Sequence, residues 1–151
     1  MENYRFSKRS KNNLMGVHPD LVWVCSRGLI LSERDFTVTE GLRSYDRQVK
    51  LKAEGKSKTL KSQHLKQADG YGHAFDVVAL VSGKCEWDAE YYEPIVKAMK
   101  EAAAELHVSI ECGYDWPGHW DPYHFQINHP QLPPKCISGS VDGLEIADTI
   151  L

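Results

Sequence analysis

The sequence predicts an α+β fold, a small antiparallel sheet with flanking helices, and three observations lead there. Residues 18–31 place Leu21, Val24, Cys25, Gly28 and Leu29 at spacings of three and four, one apolar stripe of a helix. Four short segments, 35–41, 72–81, 108–112 and 123–127, are rich in β-branched and aromatic residues and end at Gly, Pro or Ser. Helices and strands are segregated along the chain in the manner of α+β proteins.

Taken in order, Ser7 to Leu14 has the makings of one short helical turn, and Pro19 suits the first turn of the helix over 18–31, where its missing N–H does no harm. Asp35 to Gly41 alternates, with Phe36 and Val38 on one face of a strand. Ser44 is a good N-cap for a helix over Tyr45–Ala53, and Gly55 ends it. Lys56 to Gly70 is polar and reads as loop. A second strand runs from Gly72 to Val81 and stops at the Ser82-Gly83 turn signal. Asp88 is expected to cap a long helix reaching Leu106, with a start nearer Pro94 as the alternative; its alanine-rich stretch 98–104 favours helix. Strands over Val108–Cys112 and Tyr123–Ile127 flank a Gly, Pro and Trp-rich loop. Beyond Pro130 the chain reads as a tail, with one or two amphipathic turns over Leu144–Leu151.

A chain of 151 residues with 42% hydrophobic and 26% charged content suits one soluble domain with a real core. The net charge of −3 gives no global attraction to nucleic acid or anionic lipid. Basic clusters at Arg5–Lys11 and Lys56–Lys66 read as solvated faces. No apolar run is long enough to span a membrane, and the amino-terminal residues lack the apolar core of a signal peptide. The four cysteines are scattered without C-x-x-C spacing and read as reduced, mostly buried small residues.

The chemistry gathers around two stretches. Ser62-Gln-His64 leads to Gly72-His-Ala-Phe-Asp76, and Asp121-Pro-Tyr-His124 follows much later. A carboxylate at the mouth of an apolar strand is costly unless paired or bound to metal. Two histidines and a carboxylate are the ligand types of an open, catalytic zinc site. Asp121 adds a second carboxylate close enough to act as a base. Strand parity sets residues 72, 74 and 76 on one face and turns His73 away from Asp76.

These motifs resemble the S-x-H, G-x-A-x-D and [D/E]-x-x-H motifs of the D-alanyl-D-alanine carboxypeptidase/VanY-type zinc peptidases, and most closely the phage endolysins among them, the L-alanyl-D-glutamate endopeptidases. The likeness runs from about Phe6 to Ile127 and includes Thr39 to Ser44, Gln48 and Gly113 to Trp116. It implies a hedgehog/DD-peptidase-like fold, with a zinc peptidase domain over 1–130 and a tail over 131–151. It implies His64, Asp76 and His124 as ligands of Zn2+. Asp121 would be the base that takes a proton from the attacking water and passes it to the leaving amine. Arg43 would stand near the scissile carbonyl, and Ser62 and Gln48 would line the substrate site. The implied substrate is the stem peptide of bacterial peptidoglycan, cut by a monomer made in the host cytoplasm and released to the wall. A D-Ala-D-Ala carboxypeptidase or dipeptidase, and a non-catalytic zinc-stabilised wall-binding module, are the rival readings. The family spaces its first histidine and its aspartate more closely than the twelve residues here, so 65–71 is expected to bulge as a loop between two ligands.

Overall fold

The computed structural model describes residues 4–118 and 120–136. Helix α1 (Lys8–Leu14) starts at Ser7, whose side chain accepts from the Ser10 N–H. Helix α2 (Pro19–Leu31) follows with Pro19 in its first turn. Strand β1 (Asp35–Glu40) leads into α3 (Tyr45–Ala53), capped by Ser44 as expected. Strands β2 (Ala74–Val81) and β3 (Lys84–Glu86) form a hairpin; helix α4 (Glu93–Leu106) and strands β4 (Ile110–Cys112) and β5 (His124–Ile127) complete the order.

The sheet is antiparallel throughout, in the order β1-β2-β5-β4, with β3 also paired to β2. This is the α+β architecture the sequence predicts. Parity gives β2 two different faces. Phe75, Val77 and Ala79 join Phe36, Val38, Phe125 and Ile127 in one core cluster with Leu21, Val24 and Cys25 of α2 and Ile95 and Met99 of α4. Helices α2 and α4 cross closely at Gly28, where a Cβ would stand 2.6 Å from Met99 Sδ.

The other face carries polar residues in register. Glu40 of β1 pairs with Asp76 of β2, Asp76 with His124 of β5, and Glu111 of β4 with Gln126 of β5. Residues directly opposite in an antiparallel pair point to the same side. Five polar side chains from four strands therefore share one surface.

Some boundaries differ from expectation. Helix α4 starts at Glu93, beside Pro94; Ala89–Tyr91 is a separate 3₁₀ turn, and the Asp88 side chain makes no cap. Strand β3 was not anticipated, although its turn was: Ser82 and Gly83 both have positive φ, 51° and 78°, the backbone of a tight hairpin. The exposed Lys-Cys-Glu of β3 has no apolar pattern to announce it. The loop before β5 contains a 3₁₀ turn at Gly113–Asp115. Cys25, Cys112 and Cys136 are buried thiols, and Cys85 is exposed.

The described part of the tail lies on α2. His18, fully buried, holds the Gln131 carbonyl through Nε2 at 3.1 Å, and the Asp20 carboxylate accepts from Lys135 N at 3.2 Å and Cys136 N at 2.7 Å. The turns expected over Leu144–Leu151 lie outside the described residues.

Candidate metal centre

Asp76 sits in the middle of the polar face, with His124 directly opposite on β5. His64 reaches the same place from the loop. Its approach depends on contacts distant in sequence: the Arg43 N–H donates to the His64 carbonyl at 2.8 Å, and the His73 N–H donates to the Gln63 carbonyl at 2.7 Å. The 65–71 segment closes on itself as a turn, with Gln67 N–H to Tyr71 O at 2.8 Å and Gly70 N–H to Gln67 O at 2.9 Å. Asp69 within it takes His73 Nε2 at 2.7 Å, which keeps His73 out of the site, as parity expects.

Among the described residues, His64, Asp76 and His124 form a group that could hold a metal ion, with one ligand atom of each within 4.8 Å of the others. His64 Nδ1–H donates to the Gly41 carbonyl at 2.9 Å, so its Nε2 carries the lone pair, 3.2 Å from Asp76 Oδ2. His124 uses its other nitrogen: Nδ1 lies 3.1 Å from Asp76 Oδ1, while Nε2 is 2.8 Å from Gln126 Oε1. Ligands about 2.1 Å from one tetrahedral ion stand roughly 3.4 Å apart, so the two histidine–Asp76 spacings are of the size a single small cation sets. Two imidazole lone pairs and a carboxylate converge here, and a cation satisfies all three.

The electrostatics agree. Burial alone would raise the Asp76 pKa, but hydrogen bonds from the protonated rings of His124 and His64 outweigh it and hold the carboxyl far below the usual range. Burial works against a charge on His124, yet the bond to Asp76 and its negative charge raise the imidazole pKa. Asp121 moves the other way: burial and then the nearby charge of Asp76 raise its pKa. It is fixed from both sides, its N–H donating to Gly113 O at 3.0 Å and its Oδ1 accepting from Tyr123 N at 3.3 Å. Gly113 is required there, because a Cβ would fall 2.2 Å from the Asp121 carbonyl oxygen.

The remaining expected residues are placed differently from one another. Arg43 is largely buried beside the His64 loop, its Nε on Glu40 Oε1 at 2.5 Å and its Nη1 on Gln48 Oε1 at 2.7 Å. Gln48, expected to line the substrate site, is fully buried; its amide also donates to Ser57 Oγ and the Thr59 carbonyl, so it sits behind Arg43 and braces it. Ser62 is half-buried and its Oγ accepts from the His64 N–H at 3.1 Å, shaping the turn that delivers the ligand.

Four residues were given no role in the sequence reading, although Glu40 and Trp116 lie in stretches that carry the resemblance. Glu40 holds both Arg43 and Arg47, the latter at 3.0 Å. Gln126 and Glu111 stand behind His124, and Trp116 leans on the His124 ring with centroids 5.2 Å apart while donating Nε1–H to Glu111 at 2.6 Å. For Gln126 the available signal was parity along β5, which puts it on the face of His124.

Comparison with known proteins finds similar chains among the peptidases. The family described as phage L-alanyl-D-glutamate peptidase matches residues 2–129. The L-alanyl-D-glutamate peptidase of Escherichia phage T5 is 33% identical over 129 residues, 83% of this chain and 90% of that protein. A crystal structure of the Serratia marcescens L-Ala D-Glu endopeptidase ChiX is 43% identical, with a TM-score of 0.75 over 84% of this chain and 92% of that one.

Proposed function

The chain belongs to the phage L-alanyl-D-glutamate peptidase family, and on that premise we propose that it is a zinc endopeptidase cutting the L-alanyl-D-glutamate bond of peptidoglycan stem peptides during host cell lysis. The observation that carries the reading is the convergence of His64 Nε2, Asp76 and His124 Nδ1 with the Asp121 carboxyl, whose pKa is raised by burial and by the charge of Asp76. His64, Asp76 and His124 would hold the zinc. Bound there, zinc supplies Lewis acidity for carbonyl polarisation and water activation.

The chain's own groups do the rest. Asp121 takes the proton of the attacking water and returns it to the leaving amine nitrogen; a raised pKa suits a group that must both accept and give. Arg43 keeps a fixed cation at the edge of the site, where negative charge develops on the carbonyl oxygen. Glu40 and Gln48 hold its guanidinium in place, and Ser62 lies beside the substrate, shaping the turn that delivers His64. The protein acts as a monomer, made in the host cytoplasm and reaching the wall through a separate pore; among the described residues no helix is long and apolar enough to cross a membrane. The peptidase domain takes in residues 1–130, and the anchoring of 131–136 on α2 supports reading that segment as its continuation.

The test is Asp121→Asn. It should fold, bind one zinc, and lose turnover on a defined muropeptide by about 10²–10⁴-fold. Wall cleavage at the wild-type rate would remove Asp121 from the mechanism.

A further inference from the structure

We propose that Arg47 is a specificity-determining residue that receives the free α-carboxylate of the D-glutamate on the leaving side of the scissile bond. The proposal rests on the peptidase reading above and names the group that tells one stem peptide from another.

Arg47 stands in the first turn of α3, three residues after the Ser44 cap, and its own N–H donates to Ser44 Oγ at 3.1 Å. That end of a helix is positive and favours acidic side chains, so a guanidinium is held there against the dipole. Glu40 offsets the conflict. Its Oε1 accepts from Arg43 Nε at 2.5 Å and from Arg47 Nε at 3.0 Å. One carboxylate serves two guanidiniums, so within this trio one positive charge is left over.

The two arginines are not equivalent. The Arg43 side chain is 10% exposed, with Nε and Nη1 both engaged. The Arg47 side chain is 55% exposed, and among the described residues its hydrogen bonds run to Glu40 alone, through Nε. Its two Nη groups are open, and they form the fork that takes a carboxylate through parallel bonds.

Glu40 also sets where this cation stands. It lies opposite Asp76 in the β1–β2 register, and the Arg43 that shares it donates its N–H to the His64 carbonyl at 2.8 Å. The spare charge is therefore at the border of the metal centre. D-Glutamate in a stem peptide continues the chain through its side-chain carboxyl, so its α-carboxyl is free, on the carbon that bears the leaving nitrogen. A scissile carbonyl with its oxygen toward Arg43 sets that carboxylate one carbon beyond the nitrogen, on the edge that Arg47 borders. Where the carboxylate is converted to an amide, the fork loses its charged acceptor and meets NH2 hydrogens instead.

The experiment uses two synthetic stem peptides that differ only there, D-glutamate α-carboxylate against α-amide. The zinc-loaded wild type should favour the carboxylate by about 10–100-fold in kcat/KM, mainly through KM. Arg47→Gln should bring the ratio to within a few-fold of one, with zinc occupancy unchanged in metal analysis. Arg47→Lys keeps the charge without the fork and should give an intermediate preference. Added salt should shrink the wild-type preference, because a half-exposed pair is screened; this carries the test if the Gln variant does not fold. Calorimetric binding of the same intact peptides to metal-free protein should show the same order. A wild type with no preference, or a preference that survives in the folded Arg47→Gln protein, overturns the proposal. A wild type that cuts neither peptide overturns the peptidase reading instead, and the binding arm still decides whether Arg47 takes the carboxylate.

Discussion

The His64 and His124 rings stand 5.1 Å apart at 73° and present different nitrogens to Asp76, Nε2 from one and Nδ1 from the other. Each ring is tied on its far side, His64 to the Gly41 carbonyl and His124 to the Gln126 amide. The rings are thus positioned by the protein before any ion arrives, which lowers the ordering cost of binding one.

His64 is the ligand whose place depends on a loop, so it gives the sharpest check on the site's assembly. His64→Ala should lower zinc occupancy by at least tenfold in metal analysis of the purified protein. His73→Ala, which loses the bond to Asp69 and an edge contact with the His18 ring, should leave occupancy unchanged. The reverse outcome would mean that His73, not His64, is the first ligand.

Arg43 and Gln48 should separate by where they act. Arg43→Ala should cut turnover by about 10²–10³-fold, comparable to loss of one oxyanion donor, and leave zinc bound. Gln48→Leu should cost about 1–3 kcal/mol of stability, since the Arg43 guanidinium and the Ser57–Thr59 turn lose a buried partner. Its effect on turnover should be smaller than that of Arg43→Ala. Equal losses of turnover would place Gln48 against the substrate after all.

Glu40 gives a pH dependence with a definite sign. Burial alone would raise its pKa, but hydrogen bonds from Arg43 and then Arg47 pull it below the usual carboxylate value. A carboxylate depressed in the folded state stabilises the fold above its unfolded pKa of about 4.3, and that contribution disappears as pH falls through the folded value. Glu40→Gln should therefore be less stable than wild type at pH 7 by about 1.5–3 kcal/mol, the range for hydrogen bonds to charged groups. The gap should shrink in urea titrations taken progressively below pH 4.3. A gap independent of pH would assign the loss to packing.

Asp20 tests the anchoring of the tail on α2. Its 2% exposure and its two backbone partners mean that Asp20→Ala strands the N–H groups of Lys135 and Cys136. The expected cost is about 1–3 kcal/mol in denaturant melts, with zinc affinity unchanged because the site is on the other side of the sheet register.

How much of this was readable beforehand follows from the range of the interactions. Helix α2, the Ser44 cap and the Asp76–His124 strands were legible because each is announced locally, by a stripe, a capping residue or an alternating run. The grouping of His64, Asp76 and His124 was legible from its motifs. Gln48 was not: it lies on a polar helix whose pattern says surface, and only the return of residues 57–59 buries it. His64 lies across an insertion, and the bond from Arg43 N that secures it joins residues 21 apart. Glu111 comes beside Gln126 only through strand register, which a single sequence does not print.

The central claim is that this site, loaded with zinc, cuts one particular bond. Mass spectrometry of peptidoglycan digested by the zinc-loaded protein, by the chelated protein and by the protein reloaded with zinc tests it most directly. The account predicts fragments with new L-alanine carboxyl and D-glutamate amino termini, lost on chelation and restored with zinc. Cleavage that survives chelation, or release of D-alanine in place of those termini, would contradict it.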